Sequence, residues 1–235
     1  MSKNKLKKFE ELESFERVFQ PSFEDFFDKD FELKGKWNRK TFGNDYPLVL
    51  ELGCGKGEYT IGLARTFKDR NFLGVDIKGA RIWRGAKTSH LEGITNSAFL
   101  RTRIEFITAF FAPGEVEEIW LTFPDPQLKK RRVKKRLSGP QFLERYQKFL
   151  VNNGIIHLKT DNKVLYQYTH NLAKHNGLDI LVSTDDLYHS GLADEILDIK
   201  TFYERQFLQQ GMPIHYLKFR LPHDKHIEEP PGEEE

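Results

Sequence analysis

The chain has 235 residues, 31% of them charged and 38% hydrophobic, with 20 phenylalanines among its aromatics; that composition supplies a core and excludes disorder throughout. Its single cysteine, Cys54, excludes an internal disulfide and a cysteine-rich zinc site. With no signal-peptide pattern and no run approaching ~18 apolar residues, a soluble, cytosolic protein without a membrane segment is expected. The net charge of +2 hides a partition: residues 222 to 235 carry six acids against Lys225, a net of −5, which leaves about +7 on residues 1 to 221.

Residues 1 to 37 read as an N-terminal arm, basic at its start and then aromatic. Phe15, Phe19, Phe23, Phe26, Phe27 and Phe31 stand mostly three or four apart, a spacing that predicts a helical stripe packed on a body, with Pro21 starting or interrupting a helix. From residue 38 to 221, apolar runs bounded by turn residues alternate with longer helical patterns. Strands are expected at 48–52 (LVLEL), 71–77, near 94–100, 117–123, 154–160 and 178–184, and helices to about Phe67, to about Glu92, near 140–151, at about 162–176 and near 200–210. Such alternation favours an α/β fold: an open, mostly parallel sheet with helices on both faces, because parallel strands need crossover connections. After Gly211 only a short return precedes IHYLKFRL, so the last strand is expected antiparallel to its neighbour, and residues 222 to 235 are expected to form an acidic, disordered tail.

Ligands of open α/β sheets collect at the carboxyl ends of strands. After the first strand of the domain comes Glu51-Leu52-Gly53-Cys54-Gly55-Lys56-Gly57-Glu58. Its glycines allow a sharp strand-to-helix turn and close approach of a ligand to the backbone. Glu58 stands where a dinucleotide fingerprint wants glycine, and an acid at a helix N-terminus repels a pyrophosphate; this disfavours a nicotinamide-dependent oxidoreductase. Asp76 follows the second strand, 19 residues beyond Gly57, where a carboxylate can accept from both ribose hydroxyls. A nucleoside with a cationic, amino-acid-like tail suits this acidic setting, and S-adenosylmethionine is the candidate cofactor. Cys54 reads as a small filler of the turn.

The strand at 117–123 runs into Phe123-Pro124-Asp125-Pro126, in which two prolines hold one carboxylate rigidly. Directly beyond it Lys129, Lys130, Arg131, Arg132, Lys134, Lys135 and Arg136 place seven cations in eight positions, a surface for a polyanion. Asp161 follows the strand at 154–160 and faces the same crevice or caps the next helix. Thr201 and Glu204, three apart on a helix, share one face, which by itself reads as solvent-facing. The eight histidines form no ligand cluster, so no metal is expected.

Together these residues resemble the tRNA (guanine-N(7)-)-methyltransferases, enzymes of the Rossmann-like class I methyltransferase fold. The resemblance covers residues 34 to 221 and rests on GKWN at 35–38, FGND at 42–45, LELGCGKG at 50–57, FPDPQLKKRR at 123–132, HLKTDN at 157–162 and TFYERQF at 201–207. It implies methyl transfer from S-adenosyl-L-methionine to N7 of a guanosine in the variable loop of tRNA. It also implies cofactor binding by Glu51, Gly53, Gly55, Gly57, Asp76, Arg103 and Asp125, with Asp125 the catalytic residue. Substrate contacts fall on Lys129, Asp161, Thr201, Phe202, Tyr203 and Glu204, and tRNA contacts on Arg131, Arg132, Lys134, Lys135 and Arg136. Two departures stand out: Arg103 occupies the position where the family usually carries an acid or amide for the adenine amino group, and Gln127-Leu128 replaces a common Trp-Pro pair. A monomer or homodimer without bound metal is expected. A non-catalytic RNA-binding protein on the same fold would account for the basic stretch but not for Glu51, Asp76, Asp125 and Asp161 at successive strand ends. A methyltransferase acting on another base is the nearer alternative.

Overall fold

The apolar runs become strands and the amphipathic stretches between them become helices. A computed structural model describes residues 3 to 231, which divide into two units, Met1–Ala112 and Pro113–Glu235. The first contains, in chain order, α1 (Lys3–Glu13), β1 (Val18–Phe19), β2 (Leu48–Leu52), α2 (Glu58–Thr66), β3 (Asn71–Asp76), α3 (Gly79–Leu91) and β4 (Ser97–Arg101). Its strands stand in the order β1-β4-β3-β2, and every neighbouring pair is parallel. A parallel strand is covered on both faces, which is why all five residues of β2 are buried instead of alternating. The register sets Glu51 opposite Gly74 and Asp76 opposite Arg101, so the residues that follow β2, β3 and β4 emerge along one edge of this sheet.

The arm departs from the predicted helical stripe. α1 ends at Glu13, and Phe15 to Phe31 lie on turns, on the two-residue β1 and on a 3-10 turn at Phe23–Asp25. The rings find tertiary partners that outweigh helical spacing. Phe26 and Phe31 lie 4.9 and 5.2 Å from Phe110, Phe19 meets Trp37 edge-on at 5.1 Å, and Trp37 Nε1 donates to the Phe110 carbonyl at 2.8 Å. Val18 pairs with Phe99, so the arm adds an edge strand to the sheet. α1 packs on α3, where Trp83 Nε1 and Lys87 Nζ both donate to Glu11 at 2.7 Å.

The second unit contains β5 (Val116–Thr122), a 3-10 turn (Lys130–Lys135), α4 (Pro140–Gln147), β6 (Leu150–Thr160), α5 (Lys163–His175), β7 (Ile180–Thr184), α6 (Phe202–Gln209) and β8 (His215–Leu221). Within it the order is β5-β6-β8-β7; β5 and β6 are parallel, and β8 is antiparallel to both β6 and β7. Proline at the first turn of α4 costs no intrahelical bond. The helix stops at Gln147 rather than near 151, because Leu150 already pairs with Val116.

The stretch from Pro222, expected to be disordered, is held over its first part. Gln147 Nε2 donates to the carbonyls of Pro222 and Lys225 at 2.7 Å, Asn176 exchanges two side-chain bonds with the Glu228 backbone, and Ile227 is only 2% exposed. Captured carbonyls and one apolar anchor fix a segment whose composition is otherwise polar. Glu233, Glu234 and Glu235 lie outside the described residues. No helix among the described residues is long and apolar enough to cross a membrane.

Candidate active site

In the first unit the turn after β2 is stitched to the end of β3. The amides of Gly53 and Cys54 both donate to the Val75 carbonyl, at 2.8 and 3.0 Å. Asp76 takes the Gly55 amide on Oδ2 at 3.0 Å and the Lys78 amide on Oδ1 at 2.7 Å, which locks its carboxylate beside the glycine turn. Gly57 cannot be replaced: its φ is +68°, and a Cβ would stand 2.5 Å from the Phe99 ring. Gly55, also at positive φ, has nothing nearer than a carbonyl oxygen 4.0 Å from where a Cβ would stand, so its backbone is open to approach.

Glu51 has a role that spacing did not reveal. It is buried in β2, and its carboxylate accepts from the Thr60 amide at 2.8 Å and from the Thr60 hydroxyl. The N-cap of α2 is Gly57, which has no side chain to offer; an acid from the adjacent strand therefore meets an orphan amide in the first turn and the positive end of the helix dipole. Cys54 is buried, and desolvation, with the Glu51 and Asp76 carboxylates nearby, pushes its thiol well above the ordinary range, consistent with a filler rather than a nucleophile. Arg103 is exposed, 3.4 Å from Glu105, with its guanidinium 5.8 Å from the centre of the Phe106 ring. A cavity of about 500 Å³ opens beside Ile77 and Arg103.

In the second unit β5 runs into Phe123-Pro124-Asp125-Pro126. Phe123 and Gln127, on either side, both have φ of +49°, unusual for side-chain-bearing residues and held by surrounding bonds. The Phe123 amide donates to the Lys159 carbonyl at 2.8 Å, and the Gln127 amide donates to Asp125 Oδ1 at 3.0 Å. Asp125 itself is exposed. Phe123 also packs 5.9 Å from Phe207 of α6, which brings the aspartate loop and the helix that opens with Phe202 and Tyr203 together.

Four residues have surroundings other than those expected: Arg136, Glu204, Thr201 and Asp161. Arg136, expected at the RNA surface, is 3% exposed; its Nε donates to the Pro126 carbonyl at 3.1 Å and its guanidinium lies 4.0 Å over the Tyr168 ring. It braces the aspartate loop from within, because the chain turns inward toward Ser138 and α4. Lys129, Arg131, Arg132, Lys134 and Lys135 remain exposed. Glu204, expected to share a substrate-facing edge with Thr201, is fully buried, 2.7 Å from Lys159 Nζ and accepting from Tyr188 Oη at 2.6 Å. Thr201 is the N-cap of α6, and its hydroxyl accepts from the Glu204 amide at 3.2 Å in a capping box. Phe202 and Tyr203 stay exposed, edge to face at 5.6 Å. The cap of α5 is Asn162, which accepts from the Leu165 amide at 2.9 Å, and not Asp161. Asp161 is half-buried, and burial pushes its carboxyl above the ordinary range.

A family model described as a putative methyltransferase matches residues 45–217. The tRNA (guanine-N(7)-)-methyltransferase of Bacteroides fragilis (strain YCH46) is 55% identical over 230 residues, 98% of this chain and 90% of that protein. That of Christiangramia forsetii is 54% identical over 94% of this chain and 99% of the relative. The chain belongs to the tRNA (guanine-N(7)-)-methyltransferase family. The solved structure of the 16S rRNA methyltransferase KamB superposes with a TM-score of 0.60 at 14% identity, covering 83% of this chain and 95% of that one; at that identity the likeness concerns the Rossmann-like class I methyltransferase fold.

Within this family member, sequence reasoning missed Thr60 and Lys159. Both carried a signal: Lys159 lies in a strand of a sheet expected to be covered on both faces, where a buried ammonium requires an acid, and Thr60 is the third residue of a helix whose cap is glycine. Nothing in the spacing named Glu51 and Glu204 as the partners.

Proposed function

We infer that the protein transfers the methyl group of S-adenosyl-L-methionine to N7 of a guanosine in tRNA, the variable-loop guanosine that the family resemblance implies. The 54–55% identity with tRNA (guanine-N(7)-)-methyltransferases over nearly the whole chain carries this reading. Mass mapping of nucleosides after incubation with unmodified tRNA and the methyl donor tests it; 7-methylguanosine at one variable-loop position is the expected product, and its absence refutes the reading.

The residues of the first unit fit the donor. Each oxygen of the Asp76 carboxylate accepts one backbone bond and keeps capacity for a ribose hydroxyl. The open face of Gly55 lets a ligand approach the main chain, and the adjoining cavity has room for a ring. When bound, the donor supplies a sulfonium methyl as electrophile. Glu51, by capping α2, positions the glycine turn.

Guanine N7 carries its lone pair in the neutral base, so the chain need not remove a proton. What it must provide is alignment, worth roughly 7 to 11 kcal/mol at best, and compensation for the positive charge that develops on the purine. Asp125, held by the Gln127 amide between two prolines, orients the base and stabilises that charge. The major groove of duplex RNA hides N7, so the target is a loop or splayed base. Lys129, Arg131, Arg132, Lys134 and Lys135 take phosphates, Asp161 and the exposed Phe202 and Tyr203 contact the substrate, and Glu204 acts from the interior by fixing α6.

A further inference from the structure

The cavity of about 500 Å³ in the first unit begins at Ile77, the residue after Asp76, and four of its nine lining residues come from the arm. Pro21, Phe23 and Phe26 stand on that side, and the Phe106 ring packs against them, 5.8 Å from Phe23 and 5.5 Å from Phe26. Flat apolar walls of this kind suit a purine ring. The arm is fixed in place there: the Phe99 amide donates to the Arg17 carbonyl at 2.9 Å, and Arg101 Nη1 donates to Gln20 Oε1 at 3.2 Å. A guanidinium only donates, so the atom of Gln20 that faces Arg101 is the amide oxygen, and that oxygen keeps a second lone pair. Arg103, on the same cavity, likewise has no acceptor to offer an amino group. Residues 20 to 26 lie outside the span matched by the family model.

We propose that residues 20 to 26 of the arm form one wall of the adenine-binding cavity, and that Gln20 Oε1 accepts a hydrogen bond from the 6-amino group, supplying the acceptor that Arg103 lacks. This rests on the donor reading above and assigns the arm to the same site. The test titrates S-adenosylhomocysteine and S-inosylhomocysteine, which carries a 6-oxo group, into the full-length protein by calorimetry. The wild type prefers the adenosyl ligand by about tenfold or more. Gln20→Leu brings the two within about threefold, whereas Gln20→Glu, which still accepts, retains the preference; a purely structural role for Gln20 would not move this ratio. Phe23→Ala, at a residue 49% exposed, weakens both ligands about fivefold. An undiminished adenosyl preference in Gln20→Leu, or unchanged affinities in Phe23→Ala, overturns the proposal and leaves the donor reading standing. Failure of the wild type to bind S-adenosylhomocysteine overturns both.

Discussion

Asp125 and Asp161 are both carboxylates at strand ends, yet their surroundings set them different tasks. Asp125 is exposed and oriented by one amide, so it can turn a charge toward a base without destabilising the fold. Asp125→Ala is expected to lower kcat by about 10²-fold or more, in the range seen when a transition-state electrostatic partner is removed, while KM for tRNA changes little; steady-state kinetics decide this, and near-normal turnover removes the residue from the mechanism. Asp161 has its carboxyl pushed upward mainly by burial. Its folded pKa lies above its unfolded one, so the stability it contributes is full below the unfolded pKa and is lost as pH rises through the folded pKa. Asp161→Asn is therefore expected to unfold at a higher temperature than wild type at pH 7, with the gap closing toward pH 3, and to methylate tRNA less well. A lower Tm at pH 7 would show that the carboxylate is structurally required.

At the scale of elements, α6 is tied down by a charge pair with no access to water. Lys159 of β6 and Glu204 are both fully buried 2.7 Å apart, and Lys159 Nζ also donates to the carbonyls of Leu197 and Ile199 at 2.6 and 3.2 Å. Burial lowers the lysine pKa and the Glu204 carboxylate opposes that shift. Lys159→Met strands a buried carboxylate and is expected to cost about 3–5 kcal/mol; Lys159→Met with Glu204→Leu recovers most of it, as denaturant titration of both variants would show. The basic turn acts differently, through exposed charge. Arg131, Arg132, Lys134 and Lys135 neutralised together should reduce the slope of log K for tRNA against log salt by about 3, at ~0.7–0.9 per phosphate contact, with affinity for the methyl donor unchanged. Adding Arg136 to that set should instead destabilise the aspartate loop it braces.

Across the whole molecule, both chain ends are used. The arm supplies β1 and an aromatic cluster around Phe110, and the segment after β8 is pinned by Gln147, Asn176 and Ile227. A chain ending at residue 221 loses the Ile227 anchor and is expected to be less stable by about 1.5–3 kcal/mol, the value of one buried aliphatic side chain; an unchanged Tm would mean the segment only rests on the surface. The strands and helices between these ends were legible in the amino-acid order, because short apolar runs, period-3.6 patterning and glycine turns act locally. So was the placement of Asp76, Asp125 and the basic run at or just beyond the ends of strands, which is where such sheets offer groups to ligands. Contacts between residues far apart in the chain were not legible. Whether Glu204 faces solvent or Lys159, whether Arg136 faces a phosphate or Tyr168, and whether the arm's rings form a helical stripe or pack on Phe110 depends on which distant side chain fills the space beside each. Burial and pairing energies at those places exceed local preference, so tertiary packing alone decided them.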